Sequence, residues 1–237
     1  MATKSQAWFD ECVVDNKKEL LDIGELANHL IHDSLSLGIS DPKTTMAIYA
    51  TIFDAITDVV ASKEANYDHY DLNVANRFLI GYDTTDNQED EKAGNFMVYM
   101  QHMEATQSDN SIDDDNDDTI SLCVQWNANN IKEQQDVLKD VAGKAKIKMG
   151  DIINIKLESH EFILPLFCII HACIVNYVRL RRREENVSDY NINVAGLYTI
   201  GCQVDDESNE EIYYTPSISL KLKFKNDAKA TGVKDED

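Results

Sequence analysis

The chain has 237 residues, of which 43% are hydrophobic and 27% are charged, and its formal net charge is −21. This composition is that of a folded globular protein and excludes wholesale disorder, and the length suits one domain with a satellite or two domains. The negative charge argues against tight binding of nucleic acid, because carboxylates and phosphates repel each other.

Two amphipathic helices are predicted near the start of the chain. Residues 17–37 place apolar side chains at three- and four-residue steps, and Gly38 follows as a stop signal. Asp41 then suits an N-cap and Pro42 a first helical position, so a second helix extends to about Val60 and completes an αα-hairpin. A short third helix is expected from Phe96, Met97, Tyr99, Met100 and Met103.

The segment 108–118, SDNSIDDDNDD, has too few apolar side chains for their burial to offset the conformational entropy lost on ordering. We therefore predict a linker there. This prediction divides the chain into a helical acidic domain (1–107), the acidic linker (108–118), an α+β domain (119–226) and a disordered tail (227–237). The excess charge is also uneven. Residues 1–118 hold 25 acidic and 7 basic residues, a net charge of −18, whereas residues 119–237 hold 18 and 15, a net charge of −3.

Strands are expected to dominate the second half of the chain. Residues 120–126 alternate like a half-buried strand, a helix is predicted from Ile131 to Ala142 with Gly143 as its stop, and 152–157 is another candidate strand. Two further strands, 197–204 and 212–224, are joined by the acidic turn 205–211, with Pro216 indicating an edge or a bulge. No internal repeat is evident.

Residues 162–180, FILPLFCIIHACIVNYVRL, form the most apolar stretch. Its uncharged part, 162–178, is at the lower limit for crossing a bilayer, and Pro165 is expected in the first helical turn. We predict a buried helix, covered either by its own chain or in a subunit interface, with membrane attachment as the alternative. The fold class is therefore α+β, with an N-terminal αα-hairpin followed by antiparallel strands packed on a buried apolar helix.

Several residue clusters resemble metal or redox sites but lack some of the ligands or the geometry that such sites require. Asp113, Asp115 and Asp117 match the first ligands of a calcium loop, but its sixth position is Asp118 instead of glycine and its twelfth is Val124 instead of glutamate. A solvated linker explains them better.

His29 and His32 provide half a metal site at most, and surface or interface histidines are the preferred interpretation. Cys168, His171 and Cys173 point in different directions on a helix, so we expect core packing with a buried partner for His171. We therefore expect no metal and no cofactor.

The five cysteines, which include no CxxC pair, indicate a reduced compartment. The first residues lack the apolar core of a secretory signal, so synthesis in the cytosol is expected. No nucleophile elbow, P-loop, dinucleotide fingerprint or cysteine-protease signature is present, and we predict that the protein is not an enzyme. An enzyme built from residues distant in sequence stays open.

Four of the five arginines lie in one short window at the end of the apolar helix: Arg179, Arg181, Arg182 and Arg183. They complement the helix dipole, with Glu184 and Glu185 partly neutralising them. They are also suited to binding an acidic partner, including another copy of this chain.

A second basic feature is Lys221, Lys223 and Lys225, which alternate with apolar residues. This alternation either protects a strand edge from aggregation or serves charge-complementary assembly. These seven residues are the predicted interface.

The helical start (KKELLDIGELANHLIHDSL, then DPKTTMAIYATIFDAITDVV), the acidic linker and the strand-rich end together resemble small virion structural proteins of tailed bacteriophages, among them ring, adaptor and head–tail connector subunits, including those of the crAss-like group. The resemblance is one of organisation and composition and carries no specific motif. It implies a homo-oligomeric ring in the portal or tail region of the virion, made in the host cytoplasm and contacting itself and other virion proteins.

In such a ring, carboxylates lining the channel would repel DNA in transit. The alternative function is an acidic cytosolic binding or inhibitor protein that mimics nucleic acid.

Overall fold

The computed structural model describes residues 2–64, 70–74, 78–85, 95–102, 134–157, 159–194, 198–204 and 210–216. Helices α1 (Lys4–Cys12), α2 (Lys17–Leu35) and α3 (Pro42–Glu64) precede strands β1 (Tyr70–Val74), β2 (Phe78–Thr85) and β3 (Asn95–His102). Helix α4 (Gln135–Ile153), a 3₁₀ turn (His160–Phe162) and helix α5 (Ile163–Glu185) precede strands β4 (Asp189–Val194), β5 (Tyr198–Val204) and β6 (Glu210–Pro216). The predicted α+β class is confirmed.

Helices α2 and α3 form the predicted αα-hairpin and pack against each other. Helix α2 ends at Leu35, because Ser36 adopts a left-handed backbone and its N–H bonds the His32 carbonyl. Asp41 caps α3 as expected, since its Oδ2 accepts a hydrogen bond of 3.0 Å from the Thr44 N–H.

The order of two helices followed by three antiparallel strands occurs twice in the described chain: α2–α3–β1–β2–β3 (repeat 1, 17–102) and α4–α5–β4–β5–β6 (repeat 2, 135–216). A shift of 118 residues maps the buried positions of α2 onto those of α4. Leu20, Ile23, Gly24, Ala27, Ile31 and Leu35 become Leu138, Val141, Ala142, Ala145, Met149 and Ile153. The prediction that the chain lacks an internal repeat is wrong.

The strands of the two repeats also share one register. Leu72 lies opposite Ile80 in the β1–β2 pair, and Ile192 lies opposite Ile200 in the β4–β5 pair. The sequences of these hairpins are YDLNVANRFLIG and YNINVAGLYTIG. The equal register and the shared asparagine, valine, alanine, isoleucine and glycine indicate a tandem duplication.

The third strand of each repeat places a tyrosine opposite the hairpin glycine, with Tyr99 opposite Gly81 and Tyr213 opposite Gly201. In repeat 2 the Tyr213 ring covers Gly201 so closely that an added Cβ would lie 1.9 Å from Cζ of the ring. Glycine is therefore required at position 201 for the ring to lie across the strand.

The two repeats contact each other reciprocally. Helix α2 packs on α5, α3 packs on α4, and β3 lies beside β6. Asn193 N–H donates to Asn16 Oδ1, and Asn73 N–H donates to Gln134 Oε1, both at 2.8 Å. Asn16 and Gln134 are themselves equivalent, since each precedes the first helix of its repeat with a left-handed backbone. Such paired contacts are those of a two-fold symmetric dimer, here within one chain.

One hydrophobic core contains residues of both repeats. At its centre Tyr49 of α3 stacks on Phe167 of α5, with ring centroids 5.2 Å apart, and Phe53 and His171 extend the stack on either side. The helices on the two sides of the predicted linker thus pack together. Residues 108–118 lie outside the described residues, and the proposed domain boundary there stays a prediction.

Helix α5 is the predicted apolar helix, with Pro165 in its first turn and most of its apolar residues buried. The stretch His160–Glu185 is long and apolar enough to cross a membrane by length and composition, and 72% of its most apolar window is buried inside the protein. Burial of this kind is typical of a core helix.

Three local predictions are wrong. The predicted helix around 96–103 is strand β3, because its apolar residues also fit two apolar strand faces. Helix α4 begins at Gln135 and continues past Gly143, since Ala145 and Met149 extend its buried face. The predicted strand 152–157 is consequently the end of α4 followed by an irregular connection that begins at Asn154.

Strand β5 confirms the predicted strand 197–204. Strand β6 lies at the edge of its three-stranded sheet and ends at Pro216, which agrees with the expectation for that proline. The predicted strand 120–126, the region 217–224 and the predicted tail 227–237 lie outside the described residues.

Candidate interaction site

The arginine cluster at the end of α5 surrounds a single carboxylate on β6. Arg183 Nε and Nη2 lie 2.7 and 2.9 Å from the two oxygens of Glu210, a bidentate pair. Arg182 Nη2 also donates to Glu210 Oε1, and Arg179 Nε lies 3.9 Å from Oε2. Three of the four predicted interface arginines therefore share a partner within the chain.

Arg181, the fourth arginine of the cluster, points to its own helix end. Its Nη1 lies 3.2 Å from Glu184, and its Nη2 lies 2.7 Å from Glu185. These contacts match the sequence expectation that the two glutamates neutralise the cluster. The role of the arginines in an intermolecular interface stays a prediction, as does that of Lys221, Lys223 and Lys225, which lie outside the described residues.

Sequence analysis missed Glu210, because it assigned this residue to an acidic turn. Antiparallel pairing of β6 with β5 brings Glu210 opposite Val204 and back towards α5. The two Arg side chains, with the Arg183 hydrogen bond as the main cause, lower the pKa of Glu210 from its ordinary value of 4.5 to about 2. The cluster thus fastens the β5–β6 hairpin to α5.

Replacing Glu210 with glutamine is expected to lower the free energy of unfolding by about 1 kcal/mol at neutral pH. The loss is small because Arg183 is 65% exposed and water screens the pair. The folded-state pKa of Glu210 is lowered, so its contribution is complete above pH 4.5 and is lost as the pH falls towards 2. Urea unfolding of both proteins between pH 7 and pH 2 should show their difference shrinking below pH 4.5. A difference that persists unchanged at pH 2 would contradict this assignment.

The buried polar groups of α5 belong to the core, as predicted. His171 is fully buried, and its Nδ1 lies 2.9 Å from the Tyr49 hydroxyl. Cys168 and Cys173 are buried as well, and burial raises the pKa of the Cys173 thiol to about 11. A thiol with this pKa is a poor nucleophile at neutral pH.

His29 and His32 lie on the exposed side of α2, in agreement with the sequence interpretation. They line a cleft of about 460 Å³ between α2 and the connection to α3, together with Glu25, Leu37 and Ile39. Among the described residues, no group of three or more His, Cys, Asp or Glu side chains is arranged to hold a metal ion.

Carboxylates outnumber the exposed lysines Lys4, Lys17 and Lys18 on the outer surface of α1, α2 and the connection between them. The exposed carboxylates include Glu11, Asp15, Asp22, Glu25 and Asp33, and within the described part of the chain no lysine or arginine forms a salt bridge with these five. By contrast Asp10, close by, binds both Lys17 and Lys43 at 2.9 Å.

The structure thus joins Arg179, Arg182 and Arg183 to Glu210 and leaves a separate row of carboxylates open to solvent. No protein-family model, curated protein or solved structure matches this chain.

Proposed function

We propose that this chain is a non-enzymatic binding protein whose acidic surface occupies a basic site on a partner protein, a site of the kind that otherwise holds nucleic acid. The exposed carboxylates of α1 and α2 carry this proposal, because the chain does not neutralise them within its described residues. A basic partner would supply the missing counter-charges.

Carboxylates can replace phosphates at such a site for a chemical reason. Both groups accept paired hydrogen bonds from arginine, and both carry a charge that steers association with a cationic surface. Binding of this kind weakens as salt rises, since exposed charges are screened over about 8 Å at physiological ionic strength.

A homo-oligomeric virion ring is the second candidate, and the uneven charge along the chain favours it. Residues 1–118 carry −18 and residues 119–237 carry −3, so head-to-tail contact of the weakly charged second half with the first half of a neighbouring copy keeps the repulsion between copies small. The in-chain partner of Arg179, Arg182 and Arg183 counts against the contact that sequence analysis expected, because these side chains already bind Glu210.

Two measurements on the purified chain separate these functions. Light scattering at low and high salt gives the molar mass, and a competition assay measures displacement of fluorescent duplex from a basic DNA-binding domain. We expect a monomer that displaces the duplex, and whose direct binding to the basic domain weakens as the salt concentration rises. A discrete large assembly would favour the ring instead, and a monomer that leaves the duplex bound would contradict the binding proposal.

A matched pair of variants tests whether the acidic surface is specific. Neutralising Asp22 and Asp33 to asparagine should weaken the competition, whereas neutralising their repeat equivalents Asp140 and Asp151 on α4 should leave it nearly unchanged. Equal losses in both variants would mean that net charge alone is responsible.

A further inference from the structure

The two seams between the repeats are equivalent in position and differ in chemistry. In the seam between α3 and α4, Lys148 reaches across to two carboxylates. Its Nζ lies 2.7 Å from Asp54 Oδ2 and also bonds Asp58. These ion pairs close the α3/α4 seam at its surface.

Within the described part of the chain, the α2/α5 seam lacks this closure. The shift of 118 residues that relates the repeats replaces Lys148 with Leu30, and replaces Asp54 and Asp58 with Ala172 and Asn176. Leu30 is 42% exposed, and Ala172 and Asn176 are exposed too. Leu26, one helical turn before Leu30, is 46% exposed. The place that ions close in one seam is therefore uncharged and exposed in the other.

Carboxylates border this open strip. Asp22 lies one turn before Leu26, and Asp33 lies three residues after Leu30, so carboxylates flank the two leucines on the same side of α2. The seam carries charges of both signs near Tyr177 of α5, since Arg181 as well as Asp22 and Glu19 act electrostatically on that side chain. Glu25 stands beside the strip, in the wall of the cleft described above.

We infer that the α2/α5 seam is a docking surface for a basic amphipathic helix of a partner protein. Apolar side chains of that helix would cover Leu26, Leu30 and Ala172, and its lysines or arginines would pair with Asp22 and Asp33. A second copy of this chain is disfavoured as the occupant, because two chains of net charge −21 repel each other. This inference rests on the proposed function and names the surface and the chemistry of the partner.

A designed peptide provides the test. The probe is a peptide of about 18 residues, with leucines on one helical face and lysines on the other, and its control has the same composition in scrambled order. Calorimetry with the full chain is expected to show tighter binding of the amphipathic peptide. The double substitution Leu26→Ser and Leu30→Ser should weaken that binding by about tenfold or more, because the apolar contact is lost.

Ile147→Ser is the matched control, since Ile147 is 66% exposed on α4, the helix equivalent to α2. It should leave peptide binding unchanged, and thermal unfolding should show both variants folded. Equal binding of the amphipathic and scrambled peptides, or equal losses in the two variants, would overturn the docking surface. Those results would leave the proposed function standing if the chain still displaced duplex from a basic domain, so the two failures are distinguishable.

Discussion

Replacing Phe167 with alanine is expected to lower the free energy of unfolding by about 4 kcal/mol, the largest loss that we predict for a single substitution. Phe167 is fully buried, and its ring stacks on Tyr49 at 5.2 Å where α3 and α5 meet. It also lies 6.4 Å from the Phe53 ring and 5.7 Å from the His171 ring. Removing it leaves a cavity at the contact between the two repeats. Urea unfolding monitored by circular dichroism measures the change.

Ile147→Ala is the control for this substitution, because Ile147 is a large apolar residue that is mostly exposed. Its cost should stay within about 0.5 kcal/mol. If Phe167→Ala costs no more than Ile147→Ala, then the ring stack does not hold the two repeats together.

The helices of repeat 1 and the apolar helix α5 were predictable from sequence, because their stripes and caps are local signals. Strand β3 was not predictable in this way. Its residues Phe96, Val98 and Met100 alternate with Met97 and Tyr99, so both strand faces are apolar and helical spacing is also satisfied. Helix α4 was cut short in the prediction because Gly143 is a typical stop signal, whereas burial on both sides of it overrides that local preference.

Sequence analysis did not detect the repeat, because the equivalent helices share the positions of their buried residues but few identical residues. Only the hairpins keep a shared pattern, YDLNVANRFLIG and YNINVAGLYTIG, and they lie among unrelated acidic segments. A comparison of the chain with itself at shifts near 120 residues would have found it.

Only one side of the candidate site was predictable from the sequence. The arginine window is a local feature of the sequence, whereas its partner Glu210 comes from β6 through strand register, which no local pattern specifies. The open α2/α5 seam was also invisible to sequence analysis, since it becomes apparent only when Leu30 is set beside its repeat equivalent Lys148.

Gly24→Ala is expected to lower the free energy of unfolding by about 2 kcal/mol, against the usual preference for alanine in helices. An added Cβ at Gly24 would lie 2.7 Å from the Pro42 carbonyl oxygen and 2.9 Å from its Cα. Both are backbone atoms at the start of α3, so α2 and α3 would have to move apart. Overpacking against backbone atoms falls at the upper end of the usual cost, at about 3 kcal/mol, and the gain of about 1 kcal/mol in helix propensity leaves a net loss of about 2 kcal/mol.

Two other glycines of the described helices provide the reverse case. Gly143 and Gly150 of α4 have no heavy atom within 4 Å of an added Cβ. Alanine at either position should therefore stabilise the protein by about 0.5–1 kcal/mol. The repeat equivalent of Gly24 is Ala142, which is buried on α4, so repeat 2 accepts a methyl group where repeat 1 does not. A Gly24→Ala protein as stable as the Gly143→Ala protein would mean that α2 and α3 are not held at this close approach.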